Sequence, residues 1–407
     1  MSKTTIQWTD ETLNPARGCE AVSPGCLNCY AARTATRFSG DGQPFEGLAS
    51  MKAQPNDRHG RSRPPLAVWS GKVTLVPAAL REALSWSPKK PKRVFVGSVT
   101  DMFHKDVPFE YLAALFAVMA ATPWVTYQLV TKRPERMREF FEWLEAKHRV
   151  NGGGSRIYTL IDRSRRHGAV GAPLTKREEQ RLVDAMLVDR DRCVWPLPNV
   201  WLLTSTENQQ TFDERVRHLL ACPAVVHGVS AEPMLGPIDM GLDRWVRLPR
   251  AVHSDRIPGV PLPSLTAEPG VYKAEINRLG ALSIRVRAGD HGVLGIKPAE
   301  FERLHLRWVI VGGESGPGAR PFKLPWARDI HRQVQRAWKL GIQSRLFLKQ
   351  LGACAEDEQN GLAGAAVKVD PDFAELVTKR LKDSHGGDES EWPADLQGLR
   401  AFPVPAA

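Results

Sequence analysis

Strand-length apolar runs alternate with helical segments along most of this 407-residue chain. The predicted strands are Arg93–Val99, Val125–Val130, Val200–Ser205, Val225–Ser230, Arg307–Val311 and Arg345–Leu348. The predicted helices are Pro77–Trp86, before the first of these strands, and Pro108–Ala121, Pro134–Lys147, Gln209–Leu220 and Pro325–Leu340 between them. Continuous apolar strands separated by helices are typical of parallel sheets buried on both faces. The sequence therefore predicts an α/β protein with a full or partial (β/α) TIM-type barrel, and a doubly wound open sheet is the alternative.

A cysteine-rich loop precedes the first of these strands. Three of the six cysteines lie in the loop G-C-E-A-V-S-P-G-C-L-N-C-Y at Gly18–Tyr30, with the spacing C-x6-C-x2-C. Ile6–Trp8 is a possible strand before this loop, and Leu27–Phe38 is predicted as the helix after it. Thiolates at Cys19, Cys26 and Cys29 can hold three irons of a 4Fe–4S cube. The fourth iron would stay open, as it does where S-adenosylmethionine (SAM) binds in radical SAM enzymes, which indicates radical chemistry supplied by a cofactor.

A structural zinc site is the alternative interpretation of the three cysteines. It would need a fourth ligand such as Cys354 or a histidine, whereas the sequence has no second C-x2-C pair and no H-x3-5-H pattern. A disulfide is disfavoured because no signal-peptide pattern precedes the cysteines. The polar start and the lack of a membrane-length apolar run predict a cytoplasmic protein with no membrane partner.

Polar or small residues follow the predicted strands, at the end where β/α barrels build their sites. A Gly-Gly-Glu stretch lets backbone approach a ligand and offers a carboxylate to the SAM amino group, and a Thr-Lys-Arg stretch suits a carboxylate or phosphate. Turn caps and loop hydrogen bonds are the structural alternatives for these carboxylates. The candidate cofactor-binding residues are Tyr30, Ser98, Asp101, Thr131, Lys132, Glu207, Gly312, Gly313 and Glu314. The candidate catalytic residues are Glu232, Lys349 and Cys354.

Two insertions interrupt the strand–helix alternation and carry much of the positive charge. A helix is predicted near Lys176–Leu187 in the first, and short strands, including Leu282–Val286 and Gly292–Ile296, in the second. Residues 149–198 hold ten basic and six acidic residues, and 243–306 hold ten basic and seven acidic residues, which gives +7 of the chain's +11. An excess of this sign favours a polyanionic partner, nucleic acid first. The predicted organisation is an N-terminal barrel part with the cysteine loop, a basic insertion, a continuation of the barrel, a Pro/Val-rich insertion, the last barrel units and a partly disordered tail. Their bounds are 1–147, 148–198, 199–242, 243–306, 307–352 and 353–407.

Six stretches together carry a resemblance to a known family. They are G-C-x6-C-x2-C-Y-A in the cysteine loop, V-F-V-G-S-V-T-D-M-F-H-K-D-V-P at Val94–Pro108, T-K-R-P-E-R-M at Thr131–Met137, S-A-E-P-M-L-G-P-I-D at Ser230–Asp239, W-V-I-V-G-G-E-S-G-P-G-A-R-P at Trp308–Pro321 and F-L-K-Q-L-G at Phe347–Gly352. In them the chain resembles the phage-derived three-cysteine-motif proteins, which occur in phages, prophages and bacterial genomes and are related to radical SAM enzymes. The resemblance implies a radical SAM-like barrel with a 4Fe–4S cluster on Cys19, Cys26 and Cys29.

The leading hypothesis is a radical SAM-like enzyme that cleaves SAM reductively and modifies a substrate. Positive charge and the phage resemblance favour a nucleic acid or nucleotide as that substrate, and the chemistry needs a reductant for the cluster. One alternative is a non-catalytic nucleic-acid-binding protein with a structural metal. Another is a phage defence or counter-defence factor that works through a three-cysteine-motif partner protein.

Overall fold

The largest sheet of the computed structural model has seven parallel strands, which lie side by side in the order in which they occur in the chain. The sheet curls into a half-barrel, so the predicted α/β class is confirmed and a partial barrel is compatible with it. Its strands are β1 Glu11–Leu13, β2 Lys92–Val96, β3 Val125–Thr131, β4 Val200–Ser205, β5 Val226–Ala231, β6 Trp308–Gly312 and β7 Arg345–Gln350. The structure describes residues 4–403 apart from 57–59, 61, 151–154, 168–173, 193, 251, 254–265, 268, 277–281, 289, 296–300, 317, 358–382 and 384.

Alternate residues of these strands pack on opposite faces of the sheet, as the period of two requires. One face contributes to an aromatic-rich cluster inside the curl, formed by Trp8, Phe95, Trp201, Leu203, Val226, Trp308, Ile310 and Phe347. The other face packs against helices and includes Val94, Val96, Leu202, Val309, Val311, Leu346 and Leu348. Burial on both faces explains why the strands are continuous apolar runs in the sequence.

Eight helices accompany the sheet in the part of the chain that the structure describes. They are α1 Tyr30–Thr36, α2 Pro77–Ser85, α3 Phe109–Ala120, α4 Pro134–Val150, α5 Arg156–His167, α6 Lys176–Arg192, α7 Gln209–Ala221 and α8 Leu324–Lys339. Every residue of α3 from Tyr111 onward is buried, because α5 covers its outer side. None of the described helices has the length and apolar character needed to cross a membrane.

Two predictions near the N-terminus were wrong in detail. Ile6–Trp8 is not a strand, because the sheet begins at Glu11 and Trp8 instead packs inside the curl, with its ring 4.8 Å from that of Phe95. The helix predicted over Leu27–Phe38 covers only Tyr30–Thr36, preceded by a 3₁₀ turn at Pro24–Cys26. In the turn between them, the Asn28 side chain donates to the Glu314 carboxylate and to the Gly318 carbonyl, both at 2.9 Å.

The first insertion belongs to the helical layer rather than to the strand-end loops. It enters after α4 and leads back to the start of β4, and it contributes α5 and α6. Ile157, Leu160, Ile161 and Leu182 are buried in the main core. Its charged residues therefore surround a packed pair of helices, of which only α6 was predicted, over Lys176–Leu187.

The second insertion lies between β5 and β6 and forms small antiparallel sheets. One joins Trp245–Leu248 to Gly270–Lys273 and Glu302–Arg303 and lies against α7. A second joins Glu275–Ile276, Leu282–Ala288 and Asp290–Gly295, where short strands were predicted, and a third joins Val252–His253 to Thr266–Ala267.

Short strand pairs complete the fold around the barrel. They are Ala16–Arg17 with Thr74–Leu75, Ala49–Lys52 with Leu66–Trp69, and Phe322–Lys323 with Ala355–Glu356. Two 3₁₀ turns, Glu389–Glu391 and Ala394–Leu396, lie in the tail. After them the tail runs beside β7 and covers this edge of the sheet. The Leu348 N–H donates to the Leu399 carbonyl at 2.7 Å. The disorder predicted for the tail falls partly on 358–382, which lie outside the described residues.

Candidate functional site

A cavity of about 220 Å³ lies where the strands of the half-barrel end. Loops that follow β2, β3, β5 and β6 line it together with the last residues of β4 and β7, and the cysteine loop lines it as well. The polar and charged lining includes Cys19, Glu20, Cys26, Asn28, Cys29, Ser98, Asp101, Lys132, Arg133, Ser205, Ser230, Glu232, Glu314, Lys349 and Gln350. The three cysteines and most of the predicted strand-end residues therefore come together in one place.

The rest of the cavity surface is apolar and aromatic. Trp8 and Phe95 belong to the cluster inside the curl and also line the cavity, so that cluster forms its floor. Trp69 lines another side, and Tyr30 is half exposed and donates its hydroxyl hydrogen to the Ser98 carbonyl at 2.8 Å. The cavity thus offers apolar surface beside a ring of charged groups, as small-molecule sites commonly do.

The start of the cysteine loop is fixed to the loops after β2 and β3. Thr100 donates its hydroxyl hydrogen to the Gly18 carbonyl at 2.7 Å, and Arg133 donates to the Glu20 carbonyl at 3.0 Å. Gly18 has a positive φ of 92°, and a Cβ there would lie 2.2 Å from the Lys72 carbonyl oxygen. Only glycine fits this turn, which places Cys19 at the cavity.

Glu207, which follows β4, is hydrogen-bonded to the middle of the cysteine loop. Its side chain is 1% exposed, pairs with Arg215 at 3.0 Å and accepts the backbone N–H of Gly25 at 3.2 Å. Burial alone would raise the pKa of Glu207, but the Ser23 hydrogen bond, the Arg215 and Lys132 charges and the Gly25 hydrogen bond together hold that pKa below its ordinary value. The carboxylate is charged and fully engaged, so it positions the segment that leads into Cys26.

Glu314, which follows β6, holds the end of the same loop. Asn28 donates its side-chain N–H to Glu314 at 2.9 Å, and Arg320 donates both guanidinium and backbone hydrogens to it. Arg320 also donates to the Pro24 carbonyl at 2.9 Å. Burial would raise the pKa of Glu314, yet the bonds from Arg320 and Asn28 lower it. The glutamate predicted to take the SAM amino group therefore has its oxygens bound to the cysteine loop and to Arg320.

Asp101 and Arg133 form a buried ion pair beside Cys19. The Asp101 carboxylate accepts from the Thr131 hydroxyl at 2.7 Å and the backbone N–H of Lys132 at 2.9 Å, and Arg133 pairs with it at 3.0 Å. The same Arg133 nitrogen lies 3.9 Å from the Cys19 sulfur. Burial and then the Asp101 charge raise the pKa of Cys19 to about 11, and Arg133 opposes this rise. Asp101 thus positions a cation against the first cysteine.

Three further charged residues line the cavity without holding the cysteine loop. Lys349, at the end of β7, pairs with Glu232 at 3.0 Å, and the two side chains are 19% and 13% exposed. Glu232 also accepts the Ser230 hydroxyl at 3.4 Å. The Lys132 ammonium has no hydrogen-bond or ion-pair partner among the described residues. These groups can meet a ligand without releasing the loop.

The remaining candidates divide by position. Gly313 lines the cavity, but its need for glycine is structural, because a Cβ would lie 2.2 Å from the Leu351 carbonyl oxygen. A Cβ on Gly312 would lie 2.8 Å from a Glu232 oxygen. Thr131 and Glu207 are buried behind the lining, and Cys354 is buried outside it. Sequence reasoning assigned Arg133 to a ligand, within the Thr-Lys-Arg stretch, and gave Arg320 no role. It missed that both arginines pair with carboxylates of the chain, because an arginine gives no local signal of the carboxylate that it meets.

The donor set fits the iron–sulfur group that the resemblance implies. Three half-buried thiols border one cavity at Cys19, Cys26 and Cys29, and Arg133 provides a cation beside the first. Thiolates of this kind are the usual ligands of iron–sulfur clusters. Among the described residues, the positions of the His, Cys, Asp and Glu side chains give no group of three that could hold a metal ion, so the fit lies in the chemistry of the donors.

Comparison with known proteins gives one match. No curated protein and no solved structure matches the chain. The sequence profile of a family described as "Protein of unknown function (DUF5131)" matches residues 3–389, which is nearly the whole chain. The chain therefore belongs to the DUF5131 family.

Proposed function

We propose that this protein is a radical SAM-like iron–sulfur enzyme whose cluster is held by Cys19, Cys26 and Cys29. The observation that carries the proposal is the arrangement of three thiols and several strand-end charged residues around one cavity of a curled parallel sheet. Cys19, Cys26 and Cys29 would hold the cluster, which when bound and reduced would supply the one electron needed for reductive cleavage of SAM at its C5′–S bond, with methionine as one product and a radical for hydrogen abstraction from the substrate as the other. In this proposal the half-barrel is a radical SAM-like barrel.

The residues of the chain would divide into two groups. Glu207, Glu314 with Arg320, and Asp101 with Arg133 would hold the cysteine loop at the cavity, where the three thiols would bind the cluster. Lys132 is the cation available for the SAM carboxylate. Glu232 is an acidic group beside the cavity that can take the SAM ammonium or a donor of the substrate.

The aromatic side of the cavity would serve the adenine ring or a substrate base. Trp69 and Tyr30 border the cavity, and flat rings stack favourably on such surfaces. A nucleic acid or nucleotide is the substrate class that we propose, since the chain carries a net charge of +11. The proposal also includes a reductant for the cluster, a three-cysteine-motif partner protein and a cytoplasmic location.

The test is product analysis under oxygen-free conditions. Iron-loaded protein with SAM and a chemical reductant should form 5′-deoxyadenosine and methionine in equal amounts. Cys29→Ala should abolish this reaction, and the matched control Cys222→Ala should retain it because Cys222 lies outside the cavity. Unchanged SAM after incubation with fully iron-loaded, reduced protein would contradict the proposal.

A further inference from the structure

A second, larger groove of about 860 Å³ lies between α4, α5, α7 and the small sheet of the second insertion. It shares no lining residue with the cysteine cavity. Both insertions contribute to its walls, the first through Arg156 and Trp195 and the second through Arg247, Leu248 and Gly270–Val271. The groove is therefore a feature that the two insertions add to the barrel.

Arginine dominates the charge of this groove. Five arginines line it, at positions Arg138, Arg149, Arg156, Arg217 and Arg247, against two carboxylates, Glu142 and Glu145. Burial and then the Arg138 charge lower the pKa of His218, so this lining histidine is neutral near pH 7. The lining residues therefore carry an excess of three positive charges, which falls to two when Glu302, paired with Arg247 at 3.2 Å from outside the lining, is counted. A positive excess suits an anionic ligand.

The acidic residues do not block access to these guanidinium groups. Arg149 and Arg156 both pair with Glu145, at 3.6 and 3.1 Å, and the Arg149 side chain is 77% exposed. Exposed pairs of this kind contribute about 0–1 kcal/mol, so an incoming anion can replace the carboxylate. Arg217 has no carboxylate partner among the described residues and donates to a carbonyl oxygen at 3.4 Å.

The spacing of the charges favours an extended ligand over a compact one. Arg138, Glu142, Glu145 and Arg149 are spaced for one face of α4, and the two arginines lie about 16 Å apart along the helix axis. A mononucleotide would need cations that converge on a single phosphate group. Phosphates of a nucleic acid strand repeat along its length, with one per strand for about every 3.4 Å of helix axis.

The floor of the groove is suited to the rest of a nucleotide chain. Trp195 meets Phe141 edge to face, with ring centroids 6.2 Å apart, and both line the groove. Aromatic surfaces beside cations are how proteins bind strands without reading their sequence. We propose that this arginine groove binds the phosphodiester backbone of a nucleic acid strand.

The test is the fluorescence anisotropy of labelled single-stranded and duplex oligonucleotides with the full chain over a series of salt concentrations. The double variant Arg149→Gln/Arg217→Gln should raise Kd at least about 10-fold and reduce the slope of log K against log salt by about two. The matched control is Arg332→Gln/Arg336→Gln on α8, which removes the same charge from exposed side chains outside the groove and should change the slope little.

Thermal melting of each variant checks that the fold is kept, and Arg156→Gln provides a third groove variant. Equal losses in the groove and control variants would overturn the proposal, and so would binding of an acidic peptide with no binding of oligonucleotides. Chain prepared with and without iron should bind oligonucleotides alike, because the groove does not depend on the cysteine cavity. A failure of the proposed iron site would leave this result standing.

Discussion

The Glu207 carboxylate accepts a hydrogen bond from the backbone N–H of Gly25 at 3.2 Å, although 182 positions of sequence separate the two residues. Glu207 follows β4 and Gly25 lies between the first two cysteines of the loop. Glu314 makes the equivalent contact with Asn28 from the end of β6. The conformation of the cysteine loop is therefore determined by the strand ends, which is the basis for the predictions that follow.

Glu207→Ala should destabilise the protein by about 3–5 kcal/mol, because it leaves the buried Arg215 guanidinium without its carboxylate. Urea denaturation of the iron-free chain measures this free energy of unfolding. The matched control is Glu214→Ala, an exposed position beside Arg215 on helix α7, which should change the free energy by no more than about 0.5 kcal/mol. Similar small losses at the two positions would show that Glu207 does not fix the loop.

Lowering the pH should reduce the free energy of unfolding because Glu207 and Glu314 become protonated. The pKa of each carboxyl group is lowered in the folded protein from an ordinary value of 4.5, so the unfolded chain binds protons more readily. Their stabilisation is complete above about pH 4.5 and is lost as pH falls through the lower folded-state pKa values. Denaturation from about pH 7 to about pH 3 should show a smaller pH slope for Glu207→Gln/Glu314→Gln than for the unmodified chain. An identical slope would be evidence against this account.

The Asp101–Arg133 pair should show strong coupling in a double-mutant cycle. Either Asp101→Asn or Arg133→Gln leaves one charge of the pair buried and unmatched, since the side chains are 8% and 13% exposed. The loss in free energy of unfolding in the double variant should therefore be about 1–3 kcal/mol smaller than the sum of the losses in the two single variants. Denaturation of the four proteins gives the coupling free energy, and additive losses would mean that the pair does not act as a unit.

Lys132→Met should weaken SAM binding by about 10- to 100-fold, as expected for the loss of a charge-assisted hydrogen bond to a carboxylate. Calorimetric titration of the iron-loaded protein measures this affinity. Lys105→Met is the matched control, because Lys105 is 64% exposed, pairs with Glu20 and lies outside the cavity lining. If the two variants bound SAM equally well, Lys132 would not be the carboxylate site.

The strands were predictable from sequence because burial on both faces makes them continuous apolar runs. Val200–Ser205 was predicted with the bounds that β4 has. Ile6–Trp8 has the same local character, yet its tryptophan fills the inside of the curl rather than pairing in the sheet. A tripeptide cannot distinguish these outcomes, because the difference lies in its contacts with β2 and β6.

The site was predictable in location and not in the roles of its residues. The rule that β/α barrels build their sites at strand ends predicted a common site for Asp101, Lys132, Glu232 and Lys349. All four residues line one cavity. It did not predict that Asp101 would be bound to Arg133, because hydrogen-bond partners that join separate strand ends leave no local pattern. The close approach of backbone at Gly313 likewise depends on Leu351 of the neighbouring strand end.

The most direct test of the iron–sulfur account is metal and sulfide analysis of protein purified and reconstituted without oxygen. The account predicts about four irons and four sulfides per chain, lost in Cys26→Ala and retained in Cys354→Ala, since Cys354 lies outside the cavity lining. One zinc ion per chain bound by the same three cysteines, with no iron, would contradict it.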